Sequence, residues 1–312
     1  MSDFQRNIIA NINFIIFLFL ICLLIISTGC EKIENRNFYK YAFVISIYEG
    51  SNICDLSPRL KNPVLSGDAV TDAQVSSVAD PFLIKKGDKW YMFFEAYQWA
   101  IHKGVIAYAE SEDDCYTWKY GKIILEKPWH QSFSCVFEYN GEYYMVPESK
   151  QSGSTWLYKA NNFPEEWGEG KKIVNLPLVD PVIFRKEGRW YMFGLDRHNL
   201  LLFHSDNPET GWKEHPASPI VTGDKKYRRP GGGVYFNGKD YYRIAQDCES
   251  DYGVAIHIFK IIELNQTKYK EIPIPDNYNL HAGAEEWAKH GIHTLNIQQL
   301  DTNRIIAVVD GY

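Results

Sequence analysis

Three features are missing from this sequence: a long basic run, a C-x-x-C pair and an apolar stretch of full membrane-spanning length. Lys and Arg number 33 against 39 Asp and Glu, and the two signs are interspersed, which argues against nucleic acid as a partner. The longest apolar run, Phe14–Ile26, has 13 residues, whereas a membrane-spanning helix needs about 20.

This apolar run has the length of a signal-peptide core. It follows a polar start that includes Arg6, and it ends in Ser27-Thr28-Gly29-Cys30, which resembles a bacterial lipoprotein cleavage site. Lipidation at Cys30 is the first interpretation, while an uncleaved anchor and simple secretion remain open. Under each of these three interpretations, the rest of the chain is exported from the cytoplasm. We therefore treat residues 1–30 as a signal segment and residues 31–312 as the folded domain.

Six cysteines are present. Two belong to the N-terminal segment, and the other four are Cys54, Cys115, Cys135 and Cys248. An exported chain could oxidise these four, but no spacing among them selects a pair. We therefore predict free, buried thiols.

Aromatic residues are abundant, with 21 Tyr, 17 Phe and 9 Trp, and many of them lie in a repeat. Each copy is an apolar strand, a short turn carrying glycine, and a second strand that opens on an aromatic residue. The second strands open at Trp90, Tyr143, Trp190 and Tyr241, in steps of 53, 47 and 51 residues. A repeat of about 50 residues built from hairpins is typical of a β-propeller. A kelch or WD repeat is disfavoured, because a double glycine occurs in one copy only and no Trp-Asp pair recurs.

The C-terminus carries only half of a further unit, a hairpin formed by residues 293–297 and 304–309. Its outer half is predicted near the N-terminal end of the domain, because residues 62–68 closely parallel residues 218–224, which end the third unit. We therefore predict an all-β fold, a five-bladed β-propeller closed by pairing N-terminal strands with the C-terminal hairpin, which removes the free edge. The predicted blades span residues 75–128, 129–176, 177–224, 225–276, and 285–312 together with 38–66.

A propeller brings the same strand ends of every blade to one rim of its central channel. The first strands begin with Asp80, Ser134, Asp180, Arg228/Arg229 and His293. The second strands end with Glu95, Glu148, Asp196, Asp247 and Asp310. Glycosidic bond cleavage needs a protonated carboxyl that assists the leaving oxygen and an ionised one that acts as nucleophile or base. The alternative is structural, because an aspartate can also begin a strand before proline or cap a turn at a strand end.

Four groups of residues carry a resemblance to a known family. They are Ala79–Phe82; Val136–Glu138 with Tyr144–Ser149; Asp180-Pro181 with Arg189–Phe193; and Arg229–Gly232 with Arg243–Cys248. Over residues 75–312 the chain resembles the N-terminal domain of plant glucosamine inositolphosphorylceramide transferases and its bacterial stand-alone relatives. That domain in turn resembles the five-bladed propellers of family 43 glycoside hydrolases and the related invertases and levansucrases. The resemblance implies that the transferase chemistry of the plant proteins resides in another domain.

The resemblance also implies roles for individual residues. Asp80 resembles the first-blade aspartate that serves as base or nucleophile, and Asp180 resembles the Asp-Pro aspartate that tunes the pKa of the acid. The acid should be a glutamate, and Glu148 is the candidate because it ends an inner hairpin at the predicted rim. In this the sequence departs from family 43, whose acid usually lies on a later blade. His293 resembles the channel histidine that contacts a central cation or water, and a hydrogen-bonded core histidine is the alternative.

Two adjacent arginines, Arg228 and Arg229, precede the glycines at 231–233. Glycines let a backbone approach a ligand closely, and adjacent arginines suit a carboxylate or phosphate, as in an anionic sugar. The alternative is that one arginine pairs with the acidic rim while the glycines fit a tight central packing.

We therefore expect an exported glycoside hydrolase-like protein that acts on a glycan by carboxylate acid/base chemistry, with Asp80, Glu148 and Asp180 as catalytic residues. The alternative is a non-catalytic carbohydrate-binding propeller that assists glycan transfer or processing. The expected substrate-binding residues are Glu95, Asp196, Arg228, Arg229, Asp247 and His293. No cofactor is expected, and a structural cation in the channel is left open. The expected location is the cell envelope of a bacterium, either periplasmic or surface-exposed. There the protein is expected to be a lipid-anchored monomer that binds an oligo- or polysaccharide.

Overall fold

The structure is a computed structural model that describes residues 42–312. These residues form five antiparallel sheets arranged as the blades of a β-propeller, which confirms the predicted fold class. The apolar run and Cys30, on which the export hypothesis rests, lie outside the described residues. Within the described range, no helix has the length and apolar character needed to cross a membrane.

The strands are numbered along the chain, and the first two, β1 (Val44–Gly50) and β2 (Ser57–Pro58), belong to the last blade. Blade 1 consists of β3 (Ser77–Lys86), β4 (Lys89–Gln98), β5 (Lys103–Ser111) and β6 (Lys119–Leu125). Blade 2 consists of β7 (Ser132–Tyr139), β8 (Glu142–Glu148), β9 (Thr155–Asn162), β10 (Glu166–Trp167) and β11 (Lys171–Val174). Blade 3 consists of β12 (Val179–Lys186), β13 (Arg189–Asp196), β14 (Asn199–Ser205), β15 (Lys213–Glu214) and β16 (Val221–Thr222).

Blade 4 consists of β17 (Arg229–Pro230), β18 (Tyr235–Phe236), β19 (Tyr241–Asp247), β20 (Ala255–Leu264), β21 (Tyr269–Pro273) and β22 (Leu280–His281). Blade 5 adds β23 (Ile292–Gln299) and β24 (Ile305–Gly311) to the two N-terminal strands. Single-turn 3₁₀ helices in the described range lie at Gly67–Ala69, Trp99–Ile101, Lys150–Ser152, Asp276–Tyr278 and Glu286–Ala288.

The inner strands are buried because each blade packs against its two neighbours. In β4 every residue from Trp90 to Ala96 is buried, whereas in β6, in the outer part of the same blade, only the last residue, Leu125, is buried. Aromatic side chains fill the space between blades. The ring of Trp167 in blade 2 meets Phe93 of blade 1 edge-on, with 5.7 Å between the ring centres. The aromatic content of the repeat thus stabilises the contacts between blades.

The cysteines in the described range are unpaired, as predicted. Cys115 and Cys135 are buried, which also agrees with the prediction. Cys54 is exposed and Cys248 is half-buried, so the prediction that all four thiols are buried was wrong.

The fifth sheet combines strands from both ends of the described chain. β1 pairs antiparallel with β24, from Val44 opposite Gly311 to Gly50 opposite Ile305. The two similar segments noted in the sequence act alike in their blades, because each adds a backbone hydrogen bond to an outer strand. These bonds run from Val64 N–H to Ile45 O at 2.8 Å and from Ile220 N–H to Leu200 O at 2.9 Å.

A bulge recurs near the start of the innermost strand in blades 1, 2, 3 and 5. The strand pairing shifts register within residues 79–82, 132–135, 179–182 and 292–295. The second residue of the first three segments has a positive φ: Asp80 at 53°, Phe133 at 47° and Asp180 at 49°. Non-glycine residues adopt this conformation rarely, and strained residues of this kind cluster at functional sites. Blades 1 and 3 place an aspartate there.

The glycines of blade 4 have a packing role. A Cβ atom on Gly232, whose φ is 148°, would lie 1.8 Å from the carbonyl oxygen of Leu295 in blade 5. The Leu295 N–H donates to Gly231 O at 2.7 Å, so the two blades meet backbone to backbone. This contact favours the packing interpretation of the glycines over close approach to a ligand.

We predict that Gly232→Ala destabilises the protein by about 2–5 kcal/mol, because backbone strain and overpacking against Leu295 add. The matched control is Gly238→Ala. Gly238 also has a positive φ, 89°, but its Cβ would meet no atom within 4 Å, so strain alone should cost about 1 kcal/mol. Chemical denaturation of both variants measures the difference. Equal free energies of unfolding would contradict the packing interpretation.

Candidate active site

A pocket of about 460 Å³ lies at the rim where the innermost strands begin. Its ionisable lining residues are Asp80, Glu95, Tyr97, His130, Glu148, Arg229, Tyr252 and His293. The rest of the wall is formed by Phe43, Ser77, Ala79, Trp99 and Ser132. A pocket of this volume with aromatic walls and a few convergent polar groups is the kind that binds small polar ligands.

Strand pairing decides which acids reach this pocket. Glu95 pairs with Ala79, the residue before the bulge of blade 1, and Glu148 pairs with Ser132, the residue before the bulge of blade 2. Both glutamates are buried and line the pocket, as do their partners. The two hairpins therefore present equivalent glutamates at the same rim.

Asp196 and Asp247, both predicted to bind substrate, do not line this pocket. The residues that pair as Glu95 does are Leu195 in blade 3 and Gln246 in blade 4. Asp196 and Asp247 each lie one residue further along their strands. Because successive side chains of a strand point to opposite faces, they point away from the face on which Glu95 and Glu148 lie. Asp247 instead lies 3.1 Å from His257 Nε2 and accepts a hydrogen bond from a backbone N–H of the following loop.

Of the two adjacent arginines, only Arg229 lines the pocket. Its Nε donates to Asp180 Oδ2 at 2.5 Å, and its guanidinium lies 5.0 Å from the centre of the Tyr252 ring. Arg228 instead donates at 3.4 Å to two backbone carbonyls of nearby loops. The structure therefore places one arginine against the acidic rim and the other outside the pocket.

Asp80 is buried, and one of its carboxylate oxygens, Oδ1, has two partners on blade 5. Oδ1 accepts from the Thr294 hydroxyl at 2.8 Å and lies 3.2 Å from His293 Nε2. The Asp80 N–H donates to Asp310 Oδ2 at 2.7 Å. Burial raises the pKa of the Asp80 carboxyl, but His293 and Thr294 outweigh burial and hold the pKa below its ordinary value. Asp80 is therefore ionised at neutral pH.

His293 lies between two aspartates. Its Nδ1 is 2.8 Å from Asp310 Oδ1, and its Nε2 is 3.2 Å from Asp80 Oδ1. Burial alone would lower the pKa of His293, yet Asp310 and Asp80 raise it well above its ordinary value. The ring is therefore a buried imidazolium between two carboxylates.

Asp80, His293 and Asp310 are also the group in the described range whose ligand atoms lie close enough to hold a metal, within 4.8 Å of one another. Carboxylate oxygens and neutral imidazole nitrogens are ordinary metal ligands. Here, however, both nitrogens of His293 face carboxylates, and its raised pKa keeps the ring protonated. In this protonated form the ring itself supplies the positive charge between the two carboxylates.

Glu148 contacts the second bulge aspartate. Its Oε2 accepts the N–H of Asp180 at 3.2 Å. Burial and the neighbouring charge of Asp180 raise the pKa of Glu148 well above its ordinary value. Asp180 lies behind the pocket wall, where its Oδ2 accepts from Arg229 and, at 3.2 Å, from Gln246 Nε2. A protonated glutamate thus lies beside an aspartate that is paired with a half-buried arginine.

Glu95 is the third acid of the pocket. Among the described residues its buried Oε1 finds no hydrogen-bond partner, although His130 Nε2 lies 3.5 Å away. Burial raises the pKa of Glu95 well above its ordinary value, and the charge of Asp80 raises it further. Glu95 is therefore held in its neutral form, with its carboxyl available to the pocket.

Connecting segments complete the pocket with residues that the sequence analysis missed. Phe43 precedes β1, His130 lies between blades 1 and 2, and Tyr252 lies in the loop between β19 and β20. None of them recurs at a fixed place in the repeat, so no periodic signal marks them. Asp310, by contrast, can be located from the repeat, because it ends the second strand of its hairpin at the same rim.

Over residues 51–312 the chain matches the family model for the N-terminal domain of glucosamine inositolphosphorylceramide transferase 1. The chain belongs to this family. It is 36% identical over 264 residues to glucosamine inositolphosphorylceramide transferase 1 of Arabidopsis thaliana, covering 80% of this chain and 34% of that relative. The same-named protein of Oryza sativa subsp. japonica is 35% identical over 264 residues, covering 80% and 35%. The chain spans about a third of the length of these curated relatives.

Solved structures share the fold at low identity. A thermostable family-43 glycoside hydrolase superposes with a TM-score of 0.58 at 15% identity, covering 75% of this chain and 88% of that one. An alpha-L-arabinanase of Cellvibrio cellulosa complexed with arabinohexaose superposes with a TM-score of 0.50 at 14% identity, covering 63% and 78%. At these identities the likeness shows the five-bladed fold alone, and the family membership rests on the sequence match.

We predict that Glu95→Gln stabilises the protein at pH 8 by about 1–3 kcal/mol, since it removes a buried carboxyl whose Oε1 has no hydrogen-bond partner. The pKa of the Glu95 carboxyl is higher in the folded state than in the unfolded state. The wild type therefore loses stability as pH rises from the unfolded-state pKa to the folded-state pKa. The gain should therefore vanish below about pH 4, where both states are protonated. Denaturation against pH measures it, with the exposed Glu126→Gln as control. A variant less stable than wild type at pH 8 would contradict this account.

Proposed function

We propose that this protein is an exported glycoside hydrolase-like protein that acts on a glycan by carboxylate acid/base chemistry. One observation carries the proposal. Two carboxyls of the same pocket have pKa values that their surroundings push apart, with that of Asp80 below and that of Glu148 above its ordinary value. A pair of this kind supplies an ionised group and a protonated group at one pH, which is what glycosidic cleavage requires.

In the proposed reaction, Glu148 donates its proton to the oxygen of the leaving group. Asp80 attacks the anomeric carbon or takes a proton from the attacking water. The negative charge of Asp180, paired with Arg229, favours the protonated form of Glu148 until the leaving oxygen takes that proton. His293 keeps Asp80 ionised and fixes its Oδ1, so that Oδ2 remains for the substrate.

Aromatic side chains make the pocket suitable for a glycan. Phe43, Tyr97, Trp99 and Tyr252 contribute rings to its wall. Such rings combine a large apolar face with polar edges, which suits a sugar ring. A solved structure of the same fold is that of an arabinanase complexed with arabinohexaose, which supports an oligosaccharide as ligand.

The second candidate is a non-catalytic carbohydrate-binding propeller that assists glycan transfer or processing. The family favours it, because the curated relatives are named as transferases and this chain corresponds to about a third of their length. In that case the acids of the pocket would hold a glycan rather than cleave it.

The proposal includes export and attachment to the cell envelope through Cys30. This part rests on the N-terminal pattern of the sequence, an apolar run at 14–26 followed by small residues and a cysteine. A lipid-anchored monomer would present the pocket to glycans outside the cytoplasm.

We predict that the purified protein releases reducing ends from a glycan in a panel of arabinans, xylans and aryl glycosides. Asp80→Asn and Glu148→Gln should each lower the rate at least about 100-fold, since each removes one half of the acid/base pair. The rate should fall below the lowered pKa of Asp80 and above the raised pKa of Glu148. Glu126→Gln, which alters an exposed carboxylate paired with Lys103, should keep full activity.

Glycan binding is measured in parallel by calorimetry. Turnover that survives Asp80→Asn would contradict the role of Asp80. Binding without turnover on any member of the panel would reject the hydrolase and leave the binding propeller.

A further inference from the structure

A second pocket, of about 600 Å³, lies between blades 4 and 5. It is formed by the loop after β1, the β18–β19 hairpin and the β23–β24 hairpin, and its lining residues are Ser51–Cys54, Tyr235–Gly238, Tyr242, Gln299 and Thr302. The rim pocket lies where the innermost strands begin, whereas these hairpin turns lie where the innermost strands end. The two pockets therefore lie at opposite ends of the strands, and they share no residue.

The second pocket is uncharged. Within residues 42–312, no Asp, Glu, Lys, Arg or His lines it. Its polar groups include the amides of Asn52, Asn237 and Gln299 and the hydroxyls of Ser51 and Thr302. The rim pocket, by contrast, is lined by three carboxyls, an arginine and two histidines. An ionised ligand would lose its hydration in the second pocket without gaining a counter-charge, so this lining favours an uncharged, hydrogen-bonding ligand.

Aromatic rings supply the apolar part of the second pocket. The rings of Tyr235 and Tyr242 are buried and stacked, with 6.2 Å between their centres. Phe236 leaves 47% of its surface exposed, yet its ring is held against Tyr241 at 4.4 Å between centres. A fixed ring that reaches solvent beside polar groups offers an apolar face on which a sugar ring can stack.

The amides of the second pocket are held in place by backbone groups. Asn52 Oδ1 accepts the Cys54 N–H at 2.8 Å, and Asn237 Oδ1 accepts two N–H groups of its own turn. Gln299 Nε2 donates to two carbonyl oxygens of the β23–β24 turn. A primary amide has two N–H donors and two acceptor lone pairs, so each amide keeps hydrogen-bonding capacity for a ligand while its orientation is fixed. Groups oriented in advance lose little entropy when they bind sugar hydroxyls.

We propose that the second pocket is a carbohydrate-binding site for uncharged sugar residues, separate from the rim pocket and without chemistry of its own. Aromatic faces, fixed amides and an uncharged lining together match the C–H faces and hydroxyls of a neutral glycan. This inference goes beyond the proposed function, because the carboxyls of the proposed reaction lie at the other end of the strands. Two sites on one domain would raise the effective concentration of a long glycan at the rim.

Cys54 supplies a local readout, because its exposed thiol lines the second pocket. The test is alkylation of the full chain by iodoacetamide, followed at the Cys54 peptide by mass spectrometry. Burial and the charge of Asp55 raise the pKa of this thiol, so the reaction is run at pH 9. The probes are three uncharged hexasaccharides, arabinohexaose, xylohexaose and cellohexaose, with hexagalacturonate as the charged comparison.

We expect at least one uncharged hexasaccharide, at ten times its Kd, to slow the alkylation of Cys54 about 10-fold, since only the free protein reacts. Hexagalacturonate should give no protection. Phe236→Ala should weaken the protecting affinity about 10-fold through the lost ring contact. Tyr242→Phe, which removes only a hydroxyl, should weaken it about 5-fold. The matched control is Tyr116→Ala, which removes an exposed ring that packs on Arg59 outside the pocket and should retain full protection.

The same readout separates this inference from the proposed hydrolysis. Asp80→Asn should retain the protection of Cys54, because the rim pocket shares no residue with the second pocket. Protection of Cys54 without turnover of any glycan would reject the hydrolase and support the second site. No protection by any uncharged hexasaccharide, equal protection by hexagalacturonate, or an affinity that neither Phe236→Ala nor Tyr242→Phe weakens would overturn the second site whatever the catalytic result.

Discussion

The bulge in the innermost strands is the constraint on which the rest of the site depends. A bulge leaves a residue outside the strand ladder, and its buried N–H then needs another acceptor. Carboxylates of the neighbouring blade meet this need: Asp310 bonds to the N–H of Asp80 and Glu148 to the N–H of Asp180. The same hydrogen bonds therefore hold adjacent blades together and gather acids at one rim. In this fold the acidity of the pocket and the cohesion of the ring have a common cause.

Burial of so many acids is tolerable because they divide into two classes. The aspartates lie beside cations, with His293 between Asp80 and Asp310 and Arg229 against Asp180. The glutamates Glu95 and Glu148 have no cation of their own at bonding distance, and burial with neighbouring negative charge keeps them protonated. A pocket with both classes holds proton donors and proton acceptors side by side.

The sequence predicted the architecture well because hairpins recurring about every 50 residues leave few alternatives, and because two similar segments indicated where the missing half-blade lies. Asp196 and Asp247 do end their strands, but each lies one residue beyond the position equivalent to Glu95, and a shift of one residue turns a side chain to the opposite face of the sheet. Spacing is the better guide: five residues after the opening aromatic stand Glu95, Glu148, Leu195 and Gln246. The loop residues of the pocket (Phe43, His130 and Tyr252) follow no period, so only the folded chain brings them together.

The pairing of β1 with β24 has a consequence for the order of events during folding. Val44 meets Gly311 across almost the whole described chain, and contacts of such long sequence separation form slowly. Asp80 emerges early in synthesis, whereas the imidazolium of His293 that neutralises it arrives with the last hairpin. The blade that completes the ring is thus also the one that carries His293, the counter-charge of Asp80.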